Sequence, residues 1–438
     1  MKRSWPQKKA LALAASSVAI VFIFAAVARL QYPSSESIVG IKLPYFNGDN
    51  DDGIPDQETP STVRNATFFQ NSATKYFKAI LNPKDTSLDR LRCPAPDLKR
   101  YQYLRNDIDI AKLAGREKRL FLALNLRQSI HVLPSLMGSI VETIRFLGPE
   151  NCVLSIVEGN SNDGTFDVLE GLRKHMAILG LEYHLEVSDI DPSQGDRIEG
   201  LAALRNLALE PLINNSTQYS SDAAVVFIND VAICFEDILE LVHQRVFQKA
   251  DMTCGMDWNS IEPAPIFYDI WIARAINGDT FWGIPPDGGW RYAPNLFWNH
   301  PLSGQRYEER KALQVFACWN GAVVFTAKPI IEKKIRFRTS KPGECFSGEP
   351  RLFCKDMWMN GYSRIAVVPS VNLEYSNENT QKAKEVYGYV SDAVKAEQKD
   401  DESLKIEWDA KPPEQVKCMS DFADQSWVPW NQGFESEN

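Results

Sequence analysis

The chain lacks any Cys-x-x-Cys spacing and any Cys/His cluster, which excludes a zinc framework built on those residues. It also lacks an excess of positive charge. Its 438 residues carry 48 Lys and Arg against 57 Asp and Glu, a formal net charge of −9, whereas a nucleic-acid partner needs a basic footprint. An acidic protein that handles nucleotides must instead neutralise phosphate locally, with a metal or a few arginines. An EF-hand register is missing too. Asp49-Asn50-Asp51-Asp52-Gly53-Ile54-Pro55-Asp56 has calcium-loop residues in the wrong register and in one copy, and reads as an acidic solvated turn.

What is present is an ordinary globular composition, 44% hydrophobic and 24% charged, with length for one large catalytic domain or two smaller ones. Lys2, Arg3, Lys8 and Lys9 precede a charge-free run from Ala10 to Ala28, long enough to span a bilayer core. Basic residues on its N-terminal side place that end in the cytosol and the body of the protein in the lumen. The rival is a cleaved signal peptide, since Ala26-Val27-Ala28 has the small-residue pattern of a cleavage site. Asn65, Asn214 and Asn215 head glycosylation triplets, which suit a luminal surface. The eight cysteines permit disulfides there, with the pairing left open. The expected layout is a cytosolic tail at 1–9, a transmembrane anchor at 10–28, a polar stem at 29–85, a catalytic domain at 86–376 and a polar tail at 377–438.

From Arg119 the pattern is α/β: a strand at 120–125, a helix at 130–147, a strand at 152–157, a helix from Thr165 and a strand at 183–187. Short joins between them imply a mostly parallel, Rossmann-like sheet with flanking helices and right-handed crossovers. The helix from Thr165 should bury Phe166, Leu169, Leu172 and Met176, a helix after Gln194 should end near Pro211, and one at 236–246 should pack Ile238, Leu241, Val242 and Val246. The run 315–325 reads as two strands joined in a hairpin at Asn320-Gly321.

The chain is organised around the stretch from Ala223 to Trp258. The apolar run Ala224-Val225-Val226-Phe227-Ile228 ends abruptly in Asn229-Asp230-Val231, and so delivers one acid to the edge where open α/β sheets bind ligands. One reading is turn chemistry. The other is a metal-binding acid holding Mg²⁺ or Mn²⁺ against a diphosphate, since such ions need only one or two carboxylates besides substrate phosphate. The loop from Glu158 to Thr165 lies where a nucleotide commonly sits; helix capping accounts for Asp163 and Thr165 but leaves Glu158, Asn160 and Ser161 unexplained. Arg197 and Arg205, eight apart and so on similar sides of a helix, are candidates for phosphate, with pairing to their own helix's acids as the alternative. From Ser260 to Pro301 Trp, Tyr and Phe accumulate without regular pattern, either as a sugar-stacking surface or as lid packing.

Taken together, Val157 to Thr165, Phe227 to Val231, Cys254-Gly255-Met256-Asp257-Trp258, Phe267-Tyr268-Asp269-Ile270-Trp271, Cys318-Trp319-Asn320-Gly321 and Phe353-Cys354-Lys355-Asp356 resemble the fungal capsule-associated α-1,3-mannosyltransferase family first described in Cryptococcus. The likeness covers about residues 119 to 376. It implies a GT-A glycosyltransferase fold, a type II membrane protein of the Golgi or another secretory compartment, GDP-mannose as donor, a mannose-containing glycan as acceptor, Mn²⁺ or Mg²⁺, and retention of configuration. Carried over by residue, Glu158, Asn160 and Asp163 would face the nucleoside and Asp230 the metal. Asn229-Asp230-Val231 stands where many GT-A enzymes have Asp-x-Asp, which leaves a second ligand open. Retaining transfer could proceed on one face with no dedicated base; otherwise Asp356, Glu349 or Asp257, in that order, would attack C1. Partners such as Lys355 or Arg351 are the structural alternative for these acids. A GT-A transferase using a UDP-sugar, a luminal glycoside hydrolase and a non-catalytic polysaccharide-binding or export factor are the competing functions.

Overall fold

A computed structural model describes residues 72–105, 117–261, 263–397 and 402–434. The expected anchor at 10–28 and Asn65 lie outside them, and among the described residues no helix is long and apolar enough to cross a membrane. The strands are β1 (Lys118–Leu126), β2 (Cys152–Glu158), β3 (Glu182–Val187), β4 (Tyr219–Ile228), β5 (Met252–Asn259), β6 (Ile266–Phe267), β7 (Arg274–Ala275), β8 (Leu313–Ala317), β9 (Ala322–Thr326), β10 (Ile365–Leu373), β11 (Gln415–Met419) and β12 (Gln425–Pro429). Helices of eight residues or more are α1 (Ala73–Leu81), α2 (Leu133–Leu147), α3 (Thr165–Leu179), α4 (Arg197–Asn214), α5 (Phe235–Phe247), α6 (Pro301–Glu308), α7 (Glu349–Met359) and α8 (Asn377–Tyr387).

One sheet runs β3-β2-β1-β4-β9-β5-β10-β8-β7, with β6 on β5. The first four strands are parallel, as the short helical crossovers required. β9 is antiparallel to both β4 and β5, and β10 is parallel to β5. The sheet is therefore mixed but mostly parallel, and β1, β2, β4, β5 and β10 all end on one edge.

Strand periodicity explains how two layers of helices grip this sheet. In β1, Phe121 and Ala123 enter one core while Leu120, Leu122, Leu124 and Leu126 enter the other; β4 splits in the same way, Val225 and Phe227 against Val226 and Ile228. α2, α3 and α5 cover the second face and α4 the first. Each fully buried Leu, Val or Phe contributes about 1.5–3 kcal/mol of transfer free energy.

Several local expectations are corrected. α2 starts at Leu133, with Pro134 setting its first turn. Phe166 is only half-buried and Val168 takes its place in the core. α4 continues through Pro211 to Asn214, and Val246 lies 45% exposed on the outer face of α5. The hairpin at Asn320-Gly321 does not exist. β8 pairs with β7 and β10, whereas β9 sits between β4 and β5, with two strands separating it from β8. Both turn residues have positive φ (53° and 80°), as a hairpin turn would need. Yet Asn320 donates its backbone N–H to Asp269 and its side-chain amide to Gly255 O, so the chain crosses the edge instead of turning back.

Disulfides join Cys93 to Cys234, Cys254 to Cys318 and Cys345 to Cys418, leaving Cys152 and Cys354 as buried thiols. The segments flanking the sheet are fastened by buried charge. Lys384 of α8 pairs with Asp237 of α5 at 2.8 Å, and Arg100 bridges Glu240 and Glu397.

Candidate active site

The common edge of the parallel strands collects most of the acids singled out in the sequence. At the end of β2, Glu158 is fully buried, and its carboxylate accepts from the backbone N–H groups of Asn160 (3.1 Å) and Ser161 (3.0 Å). Burial raises its pKa, with those hydrogen bonds opposing. Asn160 is held in the left-handed region and its amide donates to Asp189; Ser161 Oγ accepts from Gln128 N. Asp163 accepts from Ile130 N (3.0 Å) and Thr165 N (2.9 Å). The structure brings these four residues together, with each except Asn160 spending oxygen on shaping the loop. The polar face left at the rim is that of exposed Asn160.

Arg197 opens α4, half-buried. Two turns on, Arg205 is committed. Its Nε donates to Glu349 Oε1 at 2.8 Å, and its guanidinium lies 4.5 Å from the Trp319 ring centroid, 5.2 Å from Phe227 and 5.7 Å from Phe337. Trp319 Nε1 donates to Asn229 Oδ1 (3.1 Å), so the residue before Asp230 is fixed from the same aromatic cage.

Asp230 follows β4, half-buried. Desolvation pushes its carboxyl above the usual range, while the charges of His131 and Arg205 pull it back. Asp257 lies within β5, not at its end, and is 2% exposed. Its Oδ2 accepts from the Tyr375 hydroxyl at 3.2 Å, and its Oδ1 has no partner among the described residues. Asp269 reaches the same place from the loop after β6 and accepts from Asn320 N at 3.0 Å. Burial pushes Asp269 up to about 6; burial first and the Asp269 charge second hold Asp257 well above its ordinary range. Tyr375 donates its hydroxyl to Asp257, and burial first, then the charges of Asp257, Asp230 and Asp269, hold that hydroxyl well above its ordinary range. His131 closes the rim, its Nε2 3.2 Å from Tyr375 O.

Two of the three candidate catalytic acids therefore adjoin this group. Asp257 belongs to it, and Glu349, at the start of α7, reaches it through Arg205. Asp356, two turns along α7, is instead gripped bidentately by Arg338 (2.7 and 2.8 Å), which also holds Glu344. The partners are Arg205 and Arg338, not the nearby Lys355 or Arg351 that sequence spacing suggested. Asp269 and Asn320 lay inside quoted motifs without being singled out; His131 and Tyr375 had no pattern to mark them. Asn214 is exposed and Asn215 half-buried at the end of α4.

Among the described residues no three His, Cys, Asp or Glu side chains form a cation site. A desolvated carboxylate at Asp230, beside a histidine and an arginine already paired to Glu349, fits a cation whose remaining ligands come from a diphosphate.

The sequence matches the family described as Cryptococcal mannosyltransferase 1 over residues 119–356. It is 38% identical over 324 residues to alpha-1,3-mannosyltransferase CMT1 of Cryptococcus neoformans, covering 69% of this chain and 68% of that protein. Among solved structures, S. aureus TarS (residues 1–349) is 14% identical, covering 61% of this chain and 64% of that one, with a TM-score of 0.35. The mannosyltransferase PcManGT of Pyrobaculum calidifontis, in complex with GDP-Man and Mn²⁺, is 12% identical, covering 70% and 67%, with a TM-score of 0.36. These two likenesses are loose.

Proposed function

The chain belongs to the cryptococcal mannosyltransferase 1 family and is a hexosyltransferase, and from that premise we propose that it transfers mannose from GDP-mannose to a mannose-containing glycan in α-1,3 linkage, with retention and with a divalent metal. The observation that carries this reading is the gathering of acids near the carboxyl ends of β4 and β5: Asp230 just after β4, Asp257 bonded to the Tyr375 hydroxyl, and Asp269 on the Asn320 N–H. That edge is where α/β sheets take their ligands.

In this reading the fold is of the GT-A type and Asp230 would hold Mn²⁺ or Mg²⁺. The metal supplies positive charge for the departing diphosphate. The loop from Glu158 to Asp163 presents Asn160 to the nucleoside. Arg205 and Trp319 fix Asn229, and through it the direction in which Asp230 points. Asp257 and Asp269 would accept hydrogen bonds from sugar hydroxyls, supplying the donor that the unpartnered Asp257 Oδ1 lacks. Glu349, held by Arg205, would be the candidate acid for the reacting carbon. Asp356 supports α7 through Arg338. Retention is reached on one face, with the leaving phosphate oxygen taking the acceptor proton. The protein is a type II membrane enzyme of the Golgi or a related secretory compartment, with residues 10–28 as its anchor and Asn65, Asn214 and Asn215 as glycan acceptors.

Transfer assays with radiolabelled GDP-mannose, UDP-glucose and UDP-galactose, each with Mn²⁺ and with chelator, test this. Transfer from GDP-mannose alone, lost with chelator and in Asp230→Ala, supports it. Transfer from a UDP-sugar would overturn the donor and keep the fold.

A further inference from the structure

Behind the site, two arginines lie in the interior without an acid between them. Arg274 of β7 is fully buried. Its Nε donates to Lys417 O at 2.8 Å and its Nη1 to Ile270 O and Ala273 O, while its Nη2 has no partner among the described residues. Arg351 of α7 is 6% exposed. It donates to the same Lys417 O at 2.9 Å and to Ser347 Oγ at 3.0 Å. Both guanidiniums meet one carbonyl oxygen, and among the described residues neither touches a carboxylate.

The surrounding acids are already answered. Asp279 accepts from Thr280 N and the Asn299 amide and pairs with Lys417 at 3.2 Å. Glu344 is held by Arg338 and Lys355, and Asp356 by Arg338. Asp269 is turned to the Asn320 N–H. Five cations, Arg274, Arg338, Arg351, Lys355 and Lys417, thus face four carboxylates, Asp269, Asp279, Glu344 and Asp356, each already engaged elsewhere. An uncompensated charge in a dry interior opposes folding. Burial lowers Arg351 to about 10 against the opposing charge of Glu344; burial first and the charge of Arg351 second hold Arg274 well below its ordinary value, with Asp279 and Asp269 opposing.

Beside Arg351 is a cavity of about 20 Å³, walled by Ser347, Lys355 and Glu344 with Phe316 and Val416. It has room for one small guest.

We propose that this cavity binds a single monovalent halide, chloride in physiological salt, against Arg351 and Ser347, with Arg274 adding its charge across the Lys417 carbonyl. The anion neutralises part of the surplus and fastens the β11 segment to α7, the helix that begins at Glu349.

The test uses the full chain, with the thermal midpoint followed against chloride at constant ionic strength, gluconate making up the balance. The expected result is a saturable rise with chloride that Arg351→Met abolishes. Crystals grown in bromide should show an anomalous peak beside Arg351, a readout that does not depend on any variant folding. Equal midpoints in the two salts, a chloride effect kept in full by Arg351→Met, or bromide crystals without that peak would each mean that water fills the cavity, and would overturn the proposal.

Discussion

Arg205 on α4 donates to Glu349 at the first turn of α7, tying the helix that covers one face of the sheet to the helix that carries two of the candidate acids. The side chains are 11% and 3% exposed, so the pair sits almost wholly in protein. Removing one partner from such a pair strands a buried charge and costs roughly 3–5 kcal/mol. Arg205→Met should therefore lower urea stability by that order, and Arg205→Met with Glu349→Gln should recover much of it. Activity should not return in the double variant, because a shift of about 1 Å at the reacting groups already costs roughly 100-fold. Additive losses in the double-mutant cycle would show that the pair does not act as a unit.

Asp230 should behave in the opposite sense. Desolvation holds its folded pKa above the unfolded value, so its ionised form opposes folding at neutral pH. Asp230→Asn should leave the melting temperature unchanged or raise it, while transfer falls by at least about 100-fold. A clear drop in melting temperature would mean that the carboxylate has a structural partner, and its assignment to the metal would fail.

These two residues also show what a sequence can and cannot reveal. The abrupt end of an apolar strand in Asn229-Asp230 is a local signal, readable because strand burial and edge position follow from order along the chain. The helical positions of Arg197 and Arg205 were equally plain. What held Arg205 was not, because Glu349 lies 144 residues away and Phe337 on yet another segment. Asp269 went unmarked for the same reason: its meaning comes from Asp257 and Asn320, brought beside it by the sheet. The hairpin at Asn320-Gly321 misled because the turn chemistry was right locally, while pairing was decided by β5 and β10, which lie between β9 and β8.

At the far side of α5, Glu236 gives a pH test separate from the site. Burial first, then the charges of Asp237 and Glu240, push it up to about 7. The folded protein therefore binds this proton more tightly than the unfolded chain does. The resulting stability is present in full below the unfolded value near 4.3 and is lost as pH rises through about 7, on the order of 3 kcal/mol in total. Glu236→Gln should flatten the fall in melting temperature over that window and be the more stable form at pH 8. Parallel curves for the two proteins would refute this.

The aromatic stretch after Ser260 divides between packing and contact. Trp282 is 1% exposed and leans on Trp290 with ring centroids 5.5 Å apart; Trp298 is 57% exposed, its ring 3.7 Å from the position of a Cβ on Gly283. Emptying the Trp282 site leaves a cavity in the core, so Trp282→Ala should cost roughly 3–5 kcal/mol in urea unfolding. Trp298→Ala removes surface that the fold does not use, and should change stability by no more than about 0.5 kcal/mol. If sugar rings of the acceptor stack on that exposed indole, Trp298→Ala should raise KM for the acceptor several-fold and leave KM for GDP-mannose unchanged. Equal effects on both constants would place Trp298 at the donor, and no effect on either would leave the whole stretch to packing.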